Sequence, residues 1–298
     1  MVVPPSREPP ARERFHRVSS ASGRVLVIAA HPDDPDFLAG GSIARLAKQG
    51  REVVYVILTN GNKGSGNRSV TSEQLAPIRQ EEQRRAAHVL GVRRVEFLGY
   101  EDGELEDTRE LRRDVTREIR QWRPDVIITL NPHRTYNNFP RWHRDHRMTG
   151  RVVLDCVYPL ARDHLAFPEL SREYEPHSVR EVYFIQWEQP RLVIDISETM
   201  ELKLEAIRCH ASQVSDFKAF EARMRERSES WEREGFHLRR GFRPCRRARI
   251  MASSVNSRSA ERCTQELPRK LLPTRAKETQ GRRRKKRQFT SGCLWRRS

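Results

Sequence analysis

Arg24-Val-Leu-Val-Ile-Ala-Ala30, followed directly by His31-Pro32-Asp33-Asp34, is the stretch of sequence that determines the fold class. A continuous apolar run of this length is typical of a strand that is covered on both faces, as in a parallel sheet. The run ends at a cluster of one imidazole and two carboxylates. We therefore predict a buried strand that leads directly into chemically active side chains.

Strand and helix patterns alternate downstream of this run. Buried strands are predicted at residues 53–58, 95–98 and 125–130. Helical patterns lie between them, at residues 40–50, 78–90 and 109–122. This alternation predicts an α/β, Rossmann-like fold, with a mostly parallel sheet and helices on both of its faces.

The loops that follow the four predicted strands are expected to share one location. In parallel α/β sheets, ligands bind at the carboxyl ends of the strands, where the connecting loops converge. These loops are residues 31–36, 59–66, 99–103 and 131–146. We expect all four to line a single crevice.

The first and last of these loops carry the densest groups of ionisable side chains, at residues 31–34 and in His143-Arg144-Asp145-His146. Imidazole and carboxylate suit a zinc-class ion, and a catalytic zinc site has three protein ligands and one open position. Alone, the first group is better explained as a helix-capping turn and the second as a solvated loop. Because the fold brings both loops to one edge of the sheet, together they predict a metal site.

Ala30-His31-Pro32-Asp33-Asp34, with Gly40-Gly41-Ser42-Ile43 after it, and the later HxDH stretch at residues 143–146 resemble the motifs of the LmbE/PIG-L family of zinc-dependent N-deacetylases. The likeness covers about residues 24–215. It implies a metal-dependent hydrolase that removes an acetyl group from an N-acetylglucosamine-type amino sugar or its conjugate, so the expected partner is a small N-acetylated sugar conjugate.

The resemblance implies a metal-ligand set as well. His31, Asp34 and His146 would bind Zn²⁺, with Fe²⁺ as an alternative ion. Three ligands can share one ion at bond lengths near 2 Å only if they lie close together. We therefore expect the imidazoles of His31 and His146 to lie within about 5 Å of each other.

The remaining catalytic roles also come from the resemblance. Asp33 would be the general base that takes a proton from the attacking water, and His143 the general acid or oxyanion stabiliser. Asp145 would hold His143 in orientation. Arg79 would bind a carboxylate of the substrate or product. The sequence departs from the family pattern at Pro35, which stands in the place of an acid.

Charge divides the chain into two parts. The formal net charge is +17, yet residues 1–235 hold 37 basic and 37 acidic side chains, whereas residues 236–298 hold 20 basic and three acidic ones. We predict a disordered segment at residues 1–23, a deacetylase domain at 24–235, and a basic, disordered tail at 236–298. We expect the run of six basic residues at 282–287 to attract polyanions only weakly and without specificity.

The basic tail supports an alternative function. In this second hypothesis the chain is a noncatalytic, metal-containing binding protein whose tail contacts nucleic acid or another polyanion. Three other protein classes are disfavoured. A membrane-spanning protein is disfavoured because the chain has no run of 18 apolar residues, and a secreted protein because residues 1–23 lack the apolar stretch of a secretory signal. A cysteine-type zinc finger is disfavoured because the five cysteines form no CxxC pair. We expect a cytoplasmic protein with reduced thiols and no membrane contact. Because LmbE/PIG-L members are often oligomeric, the resemblance leaves a homo-oligomer open.

Overall fold

A computed structural model describes residues 23–133, 143–185, 192–226 and 233–240. Within these ranges, seven strands form one sheet: β1 (Arg24–Ala29), β2 (Glu52–Thr59), β3 (Arg94–Tyr100), β4 (Val126–Leu130), β5 (Glu181–Ile185), β6 (Leu192–Asp195) and β7 (Arg233–Arg240). Their order across the sheet is β3-β2-β1-β4-β5-β7-β6. The first five strands in this order are parallel, whereas β7 is antiparallel to both β5 and β6.

Helices connect the strands and cover the sheet. The described helices are α1 (Asp34–Lys48), α2 (Ser72–Val89), α3 (Arg109–Trp122), α4 (Arg144–Asp155), α5 (Met200–Arg208) and α6 (Phe217–Glu226). α5 packs against α1 and α2, whereas α3 packs against α4. The predicted α/β architecture is therefore confirmed. None of the described helices is both long and apolar enough to cross a bilayer.

The order of the strands positions the candidate site. β2 and β3 lie on one side of β1, and β4 and β5 lie on the other. The loops after β1 and β4 therefore leave the sheet in opposite directions, which opens a crevice at the carboxyl ends of these two strands. His31 follows β1, and α4 begins shortly after β4. Both predicted motifs thus lie at this topological switch point.

Helix α1 begins at Asp34, six residues before the predicted start at residue 40. Pro35 is compatible with this start because a proline in the first turn removes no intrahelical hydrogen bond. Gly40 and Gly41 lie inside the helix, where a Cβ atom on Gly41 would lie 2.5 Å from the Ile196 side chain. Close packing explains the glycine at position 41, and Asp34 belongs to the first turn of α1.

The boundary predicted at residue 235 falls inside strand β7, so the folded domain extends further than the charge pattern indicates. The β7 backbone pairs with β5 up to Arg240, and the Phe236 side chain is buried in the core. Glu234 is also buried, and it accepts a hydrogen bond from Lys203 Nζ at 2.6 Å. Residues 1–22 and 241–298, which include the basic run at 282–287, lie outside the described residues.

Two truncations test this corrected boundary. Removal of residues 235–298 deletes most of β7 and the buried Phe236 ring, whereas removal of residues 241–298 keeps the strand. Loss of a buried Phe side chain alone costs about 3–5 kcal/mol. We expect the shorter chain to lose at least that much free energy of unfolding in urea, and the longer one to match the full-length protein. If both truncated proteins unfolded at the same urea concentration, a domain boundary after residue 240 would be contradicted.

Candidate metal centre and active site

His31 lies at the centre of a buried cluster of carboxylates at the end of β1. Its Nε2 atom is 3.1 Å from Asp102 Oδ1 and 3.2 Å from Asp145 Oδ2, and its Nδ1 atom is 3.3 Å from Asp34 Oδ2. The three acids come from α1, from the loop after β3 and from α4. The fold therefore brings segments that are distant in sequence around a single imidazole.

The predicted metal ligands meet in this cluster. Asp34 bridges the two histidines, because its other oxygen, Oδ1, lies 2.9 Å from His146 Nε2. Two ligands of one tetrahedral ion with bonds near 2 Å lie roughly 3.3 Å apart, so the Asp34 contacts match the spacing of a shared ion. The rings of His31 and His146 have centroids 5.3 Å apart, and ligand atoms of His31, His143 and His146 all lie within 4.8 Å of one another.

The charge of the cluster also fits a cation. Burial opposes a positive charge on His31, but the facing carboxylates of Asp34, Asp102 and Asp145 outweigh burial and raise the pKa of His31 to about 12. Despite burial, the pKa of Asp34 is well below its usual range because of His146 and His31. The charge of this cluster therefore favours a cation at its centre, and imidazole and carboxylate groups are the ligand types that a zinc-class ion accepts.

Asp33 lies beside these ligands in an unusual backbone conformation, with φ at 116°. Its carboxylate pairs with Arg79 Nη2 at 3.1 Å. Burial raises the pKa of Asp33 to about 6, against the lowering effect of Arg79. A carboxylate with a pKa in this range is suited to general-base catalysis near neutral pH, because it is ionised yet basic enough to accept a proton.

His143 immediately precedes α4 and caps it. Its Nδ1 atom accepts a hydrogen bond from the Asp145 backbone N–H at 3.3 Å. Partial burial and the neighbouring imidazoles of His31 and His146 lower the pKa of His143, which favours its neutral form. In a neutral imidazole whose Nδ1 is an acceptor, Nε2 carries the proton. His143 is thereby prepared to donate a hydrogen bond.

Comparison with known proteins agrees with this geometry. Residues 26–157 match the family model described as PIG-L: GlcNAc-PI de-N-acetylase. The diacetylchitobiose deacetylase of Thermococcus kodakarensis is 36% identical over 190 residues, which cover 64% of this chain and 70% of that protein. The chain belongs to the PIG-L family.

Two further relatives extend the comparison. A probable N-acetyl-α-D-glucosaminyl L-malate deacetylase 2 of Bacillus cereus is 31% identical over 201 residues, covering 63% of this chain and 83% of that one. The solved structure of the N,N'-diacetylchitobiose deacetylase from Pyrococcus horikoshii has a TM-score of 0.65 at 32% identity, over 73% of this chain and 84% of that chain. The predicted membership of the LmbE/PIG-L family is confirmed.

The Asp145 side chain has partners beyond the predicted one in this PIG-L site. Its carboxylate contacts His31, and it accepts hydrogen bonds from the backbone N–H groups of Gly103 at 2.6 Å and Leu105 at 3.3 Å. The backbone N–H of Asp145 binds His143, and a carboxylate oxygen of Asp145 lies within 4.8 Å of a ring nitrogen of His143. The carboxylate orients His31 and anchors the loop after β3, and its role in orienting His143 stays a prediction.

Arg79 also differs from its predicted role as a substrate-binding residue. Its side chain is buried within the protein, where it pairs with Asp33 and Asp102 and donates to the carbonyl oxygens of Pro32, Gly61 and Lys63. The guanidinium therefore joins the loops after β1, β2 and β3. The position of Arg79 inside α2, seven residues after the helix begins at Ser72, directs it toward these loops.

This environment predicts a stability effect for Arg79. Replacement of Arg79 by Met removes the buried cation that faces both Asp33 and Asp102, and breaking a buried pair costs about 3–5 kcal/mol. We expect a loss of this size in urea unfolding. Arg84→Met is the matched control, because Arg84 is half-exposed on the same helix and its pair with Glu81 contributes about 0–1 kcal/mol. An increase in KM alone, with stability unchanged, would restore the substrate-binding role.

Asp102 is a site residue that is not among the predicted ones. This residue lies in the loop after β3, which was expected to face the crevice, and its carboxylate contacts both His31 and Arg79. Its pKa is lowered, in spite of burial, by the hydrogen bond with His31. The position of the loop was the signal that could have identified it, because an acid in a loop at the carboxyl ends of parallel strands is placed to face a ligand.

Proposed function

We propose that this chain is a metal-dependent deacetylase that hydrolyses the acetamide group of an N-acetylglucosamine-type sugar or its conjugate. The observation that carries the proposal is the convergence of His31, Asp34 and His146 beside Asp33 at the carboxyl edge of β1 and β4. The substrate class is supported by the relatives, whose names refer to diacetylchitobiose and to a glucosaminyl malate.

The proposed metal ligands are His31, Asp34 and His146, and the proposed ion is Zn²⁺. This donor set, two imidazoles and one carboxylate, is one that catalytic zinc sites use. When bound, such an ion lowers the pKa of water and polarises a carbonyl group. Asp102 and Asp145 contact His31 from its Nε2 side and fix the orientation of its ring, in the manner of acids that support metal-binding histidines.

Asp33 and His143 carry the proton chemistry in this proposal. Asp33 accepts a proton from the water that attacks the acetamide carbon. His143 donates a hydrogen bond through Nε2–H to the carbonyl oxygen, where negative charge develops. The C–N bond then breaks as the leaving nitrogen takes up the proton held by Asp33, and the amine and acetic acid so formed ionise to ammonium and acetate. Arg79 holds the Asp33 carboxylate in place through its 3.1 Å contact.

A substrate screen tests the proposed function. Zinc-loaded protein is incubated with N,N'-diacetylchitobiose, N-acetylglucosamine and N-acetylglucosaminyl conjugates, and both free amine and acetate are measured. We expect equimolar amine and acetate from at least one substrate, and none from the His31→Ala protein. If every substrate remains acetylated while zinc is bound, the proposal is wrong.

A further inference from the structure

The general base proposed above is attached to a backbone that needs external support. Asp33 has a φ of 116°, a conformation that side chains other than glycine rarely adopt. Such conformations persist where the surrounding structure enforces them, and they are concentrated at functional sites. The position of the Asp33 carboxylate therefore depends on whatever fixes the peptide before it and the helix after it.

Two side chains hold that peptide, and Arg79 Nη2 donates to its carbonyl oxygen, that of Pro32, at 2.8 Å. The backbone N–H of Asp33 donates a hydrogen bond of 2.7 Å to Gln83 Oε1. Gln83 comes from α2, four residues after Arg79, so both side chains project from the same face of the helix. Arg79 holds the carboxylate of Asp33, and Gln83 holds its backbone.

The amide group of Gln83 accepts a hydrogen bond at one end and donates one at the other. Because a backbone N–H can only donate, the Asp33 N–H needs the amide oxygen of Gln83 as its acceptor. The amide nitrogen, Nε2, faces Asp36 Oδ2 at 2.7 Å, where an ionised carboxylate can only accept. Gln83 is fully buried, so water cannot replace either bond. Its orientation is thus determined by its neighbours, and leucine or methionine of similar length could make neither bond.

Asp36 is itself held by two further elements. His210 Nε2 lies 2.8 Å from Asp36 Oδ2, and the Tyr55 hydroxyl donates to Asp36 Oδ1 at 3.1 Å. Both Asp36 and His210 are fully buried. Asp36, which follows the proline that interrupts the family pattern, thus has a structural partner on β2, on α2 and beyond α5.

We propose that Gln83 is a positioning residue for the general base, and that Asp36, supported by His210, sets the orientation of Gln83. This inference rests on the proposed function, because the position of Asp33 matters for turnover only if Asp33 takes the proton. The hydrogen bonds form one chain from His210 to Asp36, to Gln83, and to the Asp33 peptide. The hydrogen bonds of the Gln83 amide go to Asp33 and Asp36, neither of which is a proposed metal ligand.

The test compares three variants of the zinc-loaded, full-length protein. Gln83→Leu removes both hydrogen bonds, Gln83→Glu keeps an acceptor for the Asp33 N–H, and Gln80→Leu is the control from the preceding turn of α2. For Gln83→Leu we expect kcat to fall about 10- to 100-fold, with KM and zinc content within about twofold, because small displacements of a reacting group cost this much. Gln83→Glu places an acceptor opposite Asp36 in place of the N–H donor, so it should lose activity as well, whereas Gln80→Leu should match the wild type.

Amide hydrogen exchange gives a readout that does not depend on turnover. In the wild type the Asp33 N–H is hydrogen-bonded, so NMR should show slow exchange of this proton with solvent. In the Gln83→Leu protein the exchange rate of the same N–H should be at least about tenfold higher. The proposal is overturned if Gln83→Leu keeps the wild-type kcat, if it loses zinc in parallel with activity, or if the Asp33 amide stays protected. If the wild type itself deacetylates nothing, the proposed function fails, and the exchange measurement alone decides whether Gln83 positions Asp33.

Discussion

Replacement of Asp33 by Asn is expected to lower kcat by about 10²- to 10⁴-fold while zinc content stays the same. The amide has the size of the carboxylate, so the backbone bond to Gln83 and the first turn of α1 are preserved. The amide group cannot accept the proton of the attacking water, however, so the general base is lost. The measurement is steady-state acetate release on the best substrate of the screen, together with elemental analysis of bound zinc.

A second Asp-to-Asn change provides the control for this result. Asp155 ends α4, roughly 16 Å along the helix from the turn that carries His143. Asp155→Asn should therefore leave kcat unchanged. If Asp33→Asn lost zinc in proportion to activity, Asp33 would be a ligand or a structural residue. If it retained most of the turnover, the proton would be taken by another group, and the division of labour between the two neighbouring carboxylates would be wrong.

The fold was predictable because its central strands carry a strong local signal. The apolar residues of β1 are buried on both faces, as the run before His31 indicates, and the strand-helix alternation determines the parallel part of the sheet. β7 was missed because its sequence, REGFHLRR, has no apolar run. This strand is stabilised by pairing with two neighbours and by the buried Phe236 and Glu234, which are tertiary effects that a local pattern does not contain.

The sequence predicted which loops form the site, but not the contacts between their side chains. His31 and His146 were identified because metal-binding residue types recur where central strands end, and the structure brings them together with Asp34. The roles of these residues and the identity of the ion stay predictions, whereas the family and the deacetylase class are confirmed by the comparisons. The contacts of Arg79, Asp145 and Gln83 could not be foreseen, because each depends on side-chain directions between segments that the sequence does not relate.

Zinc is expected to raise the melting temperature of the wild-type protein, and His146→Ala to abolish that increase. An ion that binds only the folded state stabilises it by about 2.7 kcal/mol at a free concentration of 100 Kd. For a domain of this size that free energy corresponds to a shift of roughly 5–10 °C. His146 contacts one oxygen of Asp34 while His31 contacts the other, so its loss opens one side of the proposed ligand set.

The control for the thermal experiment is His88→Ala, which removes an exposed imidazole from the last turn of α2, on the surface of the protein. This variant should keep the full zinc-induced shift. A shift that survives in His146→Ala would mean that the ion binds elsewhere, because two remaining ligands hold zinc too weakly for saturation at the same concentration. A chelator should return the wild type to its zinc-free melting temperature and leave His146→Ala unaffected, since stabilisation by binding vanishes with the free ion.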